Sequence, residues 1–260
     1  MKLLSYIFNY LTYFFTSDTK YNIHSPFVFD FVVNVLNARK QKPHYHPIEL
    51  LRTKMLKSDV IIELLPLGAS KQQLIKKDKI KNVCSRTSKS AKYSELLERI
   101  CAYYQPEFAI EIGTSLGISA MYQASALHNG VLYTLEGNPD SLKVAQYNCQ
   151  KLDMQNIVFV EGNFDEKLPQ LLHQIERVDY VFFDGNHQMD ATLKYFEWCL
   201  SKAHTNSIFV FDDIRWSEDM QIAWEKIKKH PAVTLSIDLF VMGIVFFRKE
   251  NEKQDFVIRF

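Results

Sequence analysis

Phe108-Ala-Ile-Glu-Ile-Gly-Thr-Ser-Leu-Gly-Ile-Ser119 is the stretch on which the fold turns. A short apolar run ends in Glu111 and gives way to Gly113 and Gly117, after which Ile118 to Leu127 has a helical pattern. Glycine accepts backbone conformations that other residues avoid and lets a ligand approach the chain closely, so the stretch predicts a strand, a binding turn and a helix. A dinucleotide fingerprint starting at Gly113 would require two further glycines where Ser115 and Ile118 stand, which disfavours a pyrophosphate cradle. Glu111 argues the same way, because a carboxylate beside the turn repels phosphate and suits a positively charged ligand. Val131-Leu-Tyr-Thr-Leu-Glu136 is a second apolar run ending in an acid. It lies about 20 residues beyond the glycines, where an α/β nucleotide site places the carboxylate that holds ribose hydroxyls.

The pair Glu111-Ile-Gly113-Thr-Ser-Leu-Gly117 and Leu135-Glu136-Gly137 resembles the first two motifs of class I S-adenosylmethionine-dependent methyltransferases, over about Lys89 to Arg248. The resemblance implies S-adenosyl-L-methionine as cofactor, contacted at Glu111, Gly113, Thr114, Ser115, Gly117, Ser119, Glu136 and Gly137. It adds Asn163 as a polar contact and Phe164 as an apolar wall near the adenine, and Asp184 at the end of the fourth strand. It also implies a Rossmann-like sheet of order 3-2-1-4-5-7-6.

Outward from this core the pattern alternates. Strands are expected at Val131–Glu136, Ile157–Val160, Val178–Asp184 and Ser207–Asp212, with helices at Ser141–Leu152, Glu166–Ile175, Ala191–Leu200 and Met220–Lys229. Apolar runs separated by helices of this length imply parallel strands covered on both faces, a doubly wound α/β sheet. Val233–Ile237 and Val241–Arg248 are too close for a crossover helix and should form an antiparallel hairpin. Asp255–Phe260 is expected as a last edge segment or a frayed tail.

Residues 1–88 are expected as a mainly helical accessory or lid region and residues 89–260 as the cofactor-binding core. Leu3, Leu4, Ile7, Phe8, Leu11, Phe14 and Phe15 recur at helical spacing. This stripe should pack on its own protein or on a second subunit, making a homodimer. A membrane-surface helix would carry Lys and Arg on its polar face, and a helix this short does not span a bilayer, so no stable insertion is expected. Ser25 and Pro26 fit an N-cap and first helical position for a helix to about Ala38. His44, Tyr45 and His46 lie between two prolines, a loop composition. Val60–Leu65 should be a strand and Pro66–Ser70 a turn. The lysine-rich stretch Lys71 to Lys92 is expected as a solvated loop or helix face serving as linker. Tyr93–Tyr104 should be the helix leading into the core.

Composition narrows the function. The 260 residues are 47% hydrophobic and 23% charged with a formal net charge of +1, an ordinary globular balance and not the basic one of a phosphate-gripping nucleic-acid binder. The four cysteines, Cys84, Cys101, Cys149 and Cys199, form no C-x-x-C pair and fit reduced thiols in the cytoplasm.

The chemistry should lie at the carboxyl ends of the strands. Val181-Phe-Phe-Asp184-Gly-Asn-His187 ends the fourth strand and Phe209-Val-Phe-Asp212-Asp213 the fifth. On adjacent parallel strands, about 4.8 Å apart, Asp184, Asp212 and Asp213 would crowd three carboxylates together, which calls for a cation. Hard oxygen donors suit Mg²⁺ or another divalent cation. Successive residues of a strand point to opposite sides, so using both Asp212 and Asp213 requires the chain to turn after Phe211. The D-x-x-H then D-D arrangement resembles the metal and base motifs of the macrolide-sugar O-methyltransferases and related small-molecule enzymes. That resemblance makes Asp184 and His187 the catalytic candidates, with His187 as general base. Asp-Gly-Asn-His stands where a nucleic-acid base methyltransferase carries N-P-P-Y or D-P-P-Y. Trp216, just after the acids, is a candidate pocket wall, whereas Trp198 and Trp224 sit in helical patterns.

The leading expectation is a metal-dependent O-methyltransferase acting on a small hydroxylated acceptor, with no nucleic acid as partner. A metal-independent methyltransferase, an NAD-dependent oxidoreductase and a non-catalytic nucleoside-binding module are the alternatives.

Overall fold

The computed structural model describes residues 3–19, 22–38, 41–65, 75–250 and 252–260. Contacts divide the chain into two compact units, residues 35–171 and residues 1–34 with 172–260. The strands from Phe108 onward belong to a mostly parallel sheet of eight.

The chain opens with α1 (Leu3–Thr16) and α2 (Pro26–Phe31), which runs into a π-helical turn (Val32–Leu36). Ser25 caps α2 by accepting from the Val28 N–H at 3.5 Å, and Pro26 takes the first turn, where its missing N–H costs nothing. In the unit of residues 35–171, α3 (Tyr45–Met55) comes first, followed by β1 (Ile61–Leu64) and β2 (Lys76–Lys79), an antiparallel pair. Helices α4 (Ile80–Thr87) and α5 (Ala91–Tyr104) lead into β3 (Phe108–Ile112), α6 (Ile118–Ala124), β4 (Val131–Glu136), α7 (Pro139–Lys151) and β5 (Ile157–Glu161). Strand β4 pairs in parallel with both β3 and β5, the segment 3-2-1 of the implied order.

Two stretches here depart from expectation. Tyr45–Met55 is a helix although His44, His46 and Pro47 have a loop composition. Pro47 stands in the first turn, where helical N–H groups have no intrahelical partner, and Tyr45, Ile48 and Met55 turn into the core. The lysine-rich stretch is not a linker over Lys76–Thr87 but β2 and α4. Ile80, Val83 and Cys84 form a buried stripe at helical spacing while the lysines and Arg86 face outward. The expected turn Pro66–Ser70 lies outside the described residues.

After α8 (Phe164–Gln174), the other unit contains β6 (Val178–Phe183), α9 (Met189–Leu200), β7 (Ala203–Phe211), α10 (Glu218–Lys229), β8 (Leu235–Asp238), β9 (Gly243–Phe246) and β10 (Gln254–Val257). Its order is β6-β7-β9-β8-β10, the segment 4-5-7-6 with β10 laid parallel outside β8. The hairpin β8–β9 is antiparallel, closed by Leu239 N–H donating to Met242 at 2.8 Å. Asp255–Phe260 is therefore an edge segment in its first residues. Helix α1 is fastened to this end of the chain: the Tyr13 hydroxyl donates to the Ile258 carbonyl at 2.6 Å and accepts from the Phe260 N–H at 3.1 Å.

All four cysteines are buried and unbridged. Burial pushes the Cys149 thiol up to about 12, with Glu111 adding to the shift, and raises Cys101 and Cys199 as well. The thiolate is the reactive form. Titration of the native protein with a disulfide reagent at pH 8 should therefore label none of the four thiols at the rate of the denatured chain. Rapid labelling of any native thiol would contradict the packing.

Candidate functional site

The glycine turn and its two glutamates are built in the unit of residues 35–171. Strand β3 ends at Ile112, and the N–H groups of Gly113 and Thr114 both donate to the Leu135 carbonyl at 3.0 Å, which bends the turn over the end of β4. Ser115 and Gly117 take left-handed conformations, with φ of 48° and 85°. At Gly117 a side chain would also press on the backbone of α7, its Cβ falling 3.0 Å from that of Ala145.

Glu136 closes β4 and is held by two backbone donors, Ser115 N–H at 2.7 Å and Asn138 N–H at 2.8 Å. This fixes the carboxylate against the glycine turn. Asn138 in turn caps α7 by accepting from Ser141 N–H at 2.9 Å. Gly137 stands between Glu136 and Asn138, half-buried.

Glu111 is fully buried, and its two oxygens accept from Gln123 Nε2 at 2.7 Å and Thr134 Oγ1 at 2.6 Å. Thr114 and Thr134 share a further hydroxyl contact at 2.6 Å. The structure thus places Glu111 as the internal tie between β3, β4 and α6 beneath the turn. Ser119 is buried in the first turn of α6. Asn163 is exposed and its side chain accepts from Asp165 N–H at 2.9 Å, capping α8, while Phe164 is half-buried at the head of that helix.

The sequence reading missed three supports of this turn. Thr87, last residue of α4, meets Ser115 through their hydroxyls at 2.6 Å. Asn138 Nδ2 donates to the Glu63 carbonyl at 3.0 Å, and Asp140 accepts from the Glu63 N–H at 3.0 Å, so β1 is pinned beside the Glu136 loop. No local motif marks such long-range partners.

The acidic cluster lies in the other unit. The register of β6 and β7 pairs Phe183 with Phe211, whose rings stack 4.3 Å apart, and so Asp184 and Asp212 leave the sheet side by side. Asp212 is fully buried, while the Asp184 side chain is 10% exposed. His187 returns to them by way of Asn186, whose φ is 54°. One donor atom from each of Asp184, His187 and Asp212 lies within 4.8 Å of the other two. His187 Nε2 stands 3.6 Å from Asp184 Oδ1 and 4.0 Å from Asp213 Oδ2.

Asp213 has a φ of 53°, the turn after Phe211 that the strand geometry demands, and this brings its carboxylate toward His187 and not into the compact trio. Arg215 grips Asp238 through both terminal nitrogens, at 2.5 and 2.7 Å, and Trp224 Nε1 donates to the same carboxylate at 3.2 Å. Trp224 is core, whereas Trp216 is 65% exposed in the loop that follows the acids. Tyr6 of α1, which the sequence did not single out, also reaches this loop. Burial first, and then the Asp213 carboxylate, raise its phenol above the ordinary tyrosine value.

Residues 110–214 match a family described as a methyltransferase domain. Bovine (Bos taurus) catechol O-methyltransferase is 30% identical over 97 residues, which are 36% of this chain and 36% of that enzyme. The chain thus matches about a third of the length of this curated relative. An O-methyltransferase of Bacillus cereus, solved with S-adenosylhomocysteine, is similar at 18% identity and a TM-score of 0.57, covering 84% of this chain and 96% of that one. A Podospora anserina methyltransferase, also bound to S-adenosylhomocysteine, gives 14% identity and a TM-score of 0.60, with 87% and 97% covered. At these identities the structural likeness is one of fold, and the family match is confined to residues 110–214. Residues 110–214 thus resemble a methyltransferase domain.

Proposed function

We propose that this chain transfers the methyl group of S-adenosylmethionine to a hydroxyl of a small molecule, with the help of a divalent cation. The observation that carries the reading is the convergence of Asp184, His187 and Asp212 at the ends of paired strands. The donor set fits a hard cation. Mg²⁺ takes oxygen ligands at about 2.0–2.1 Å, and the three donor atoms, within 4.8 Å of one another, would draw together to share one ion. A fully buried Asp212 also favours a compensating positive charge.

Bound S-adenosylmethionine supplies a methyl on a sulfonium, and a bound cation favours the ionised form of an acceptor oxygen. Glu136 accepts from the ribose hydroxyls, and the Gly113–Gly117 turn lets the backbone approach the cofactor closely. Asp184 and Asp212 would hold the cation, with Asp213 as the third acid of this reading. His187 Nε2 takes the acceptor proton, with Asp184 and Asp213 on either side to orient the ring and steady its charge. The compact trio favours a second reading, in which His187 is itself a ligand in place of Asp213. Trp216 and Tyr6 would form walls for the acceptor. The catechol of the bovine relative, with two adjacent hydroxyls, is the first acceptor to try.

Titration calorimetry with Mg²⁺ or Mn²⁺ tests the cation. The wild type should bind, and Asp184→Asn and Asp212→Asn should each weaken binding by at least about tenfold, since each removes a charged ligand. Transfer of labelled methyl to a catechol should stop when the cation is chelated. Wild-type protein that binds neither cation, even with S-adenosylmethionine present, would leave a metal-independent enzyme.

A further inference from the structure

Helix α1 carries no charged side chain from Leu3 to Thr16, and its two sides are used differently. On one side Tyr6, Tyr10 and Tyr13 close around Phe240 with ring centroids 5.2, 5.1 and 5.2 Å away. On the other, Ile7, Phe8, Leu11 and Phe15 are 45%, 70%, 47% and 77% exposed. With 3.6 residues per turn these four positions share one face. Contiguous exposed apolar surface of this kind marks an interaction site.

We propose that this face is the contact between two copies of the chain, with α1 packed against its own two-fold mate. In such a contact the residue at the centre of the patch meets itself, so any charge there would face a like charge. An uncharged α1 meets that condition. A helix lying on a membrane carries Lys and Arg on its polar side, whereas α1 has Asn9, Thr12 and Thr16 there, with Thr12 and Thr16 turned back to the carbonyls of Phe8 and Thr12. Arg259 covers the edge of the face, its guanidinium 4.1 Å over the Phe14 ring, as in the polar rim of an interface.

The area is sufficient. Large aromatic side chains expose roughly 150–250 Å² each. The four residues therefore offer roughly 500 Å² per copy, and two copies would bury about 1,000 Å², the lower bound for a specific interface.

Light scattering at about 50 μM should give wild-type protein twice the 30.5 kDa chain mass, and Phe8→Glu/Phe15→Glu should give the single-chain mass while still melting cooperatively, at a temperature that no longer rises with protein concentration. A second variant does not depend on weakening anything. Leu11 is midway along the face, and the native thiols are buried, so oxidation of Leu11→Cys should yield a covalent dimer and oxidation of Asn9→Cys should not. A monomeric wild type would overturn the proposal, as would a dimer that survives the double substitution and leaves Leu11→Cys unlinked. Sedimentation of a monomeric wild type with phosphatidylserine vesicles would show a membrane as the occupant and overturn it too.

Discussion

Replacing His187 with alanine is expected to lower turnover by about 10² to 10⁴, the usual cost of removing a general base, while cofactor affinity stays unchanged. His187 Nε2 lies 3.6 Å from Asp184 and 4.0 Å from Asp213, so the ring is flanked by two carboxylates that can stabilise it once it carries a proton. Single-turnover methyl transfer, paired with calorimetric titration of Mg²⁺, separates its roles. Lost turnover with retained cation binding makes His187 the base. Lost cation binding makes it the third ligand of the trio, and full activity removes it from the mechanism.

Glu136→Ala is expected to raise the Kd for S-adenosylhomocysteine by about 10² to 10⁴. Two ribose hydroxyls would each lose a charged acceptor worth roughly 1.5–3 kcal/mol, and each 1.4 kcal/mol is a factor of ten. The Ser115 and Asn138 N–H groups, now 2.7 and 2.8 Å from the carboxylate, would also lose their partner and loosen the turn. Glu136→Gln keeps an acceptor of the same shape and should fall between the two. Calorimetry reads both variants, and an unchanged Kd for Glu136→Ala would mean that the ribose is held elsewhere.

The elements from Phe108 to Phe246 are legible in the sequence for a physical reason. Each buried parallel strand is a short apolar run, and Glu111, Glu136, Glu161, Asp184 and Asp212 stand at or within one residue of the strand ends. The pairing of Asp184 with Asp212 follows from strand adjacency, and the register of Phe183 with Phe211 supplies it. The first hundred residues are less legible because their local signals compete. Helix α3 begins with His and Pro and buries few of its residues, and α4 hides its short apolar stripe among lysines. The partners that give the acids their surroundings are further still from the sequence. Glu111 looks like a ligand-facing acid at the end of a strand, yet Gln123 and Thr134, remote along the chain, turn it into an internal tie. Asp213 looks equivalent to Asp212 until a left-handed φ swings it toward His187.

The central claim is that the Gly113–Glu136 region holds S-adenosylmethionine, and a thermal-shift comparison of S-adenosylhomocysteine with NAD tests it most directly. A ligand at about 100 times its Kd adds roughly 2.7 kcal/mol to stability, which for a chain of this size is a rise in Tm of several degrees. The account predicts that rise with S-adenosylhomocysteine, its loss in Glu136→Ala, and no response to NAD. Stabilisation by NAD alone, or no response to S-adenosylhomocysteine at millimolar concentration, would contradict it.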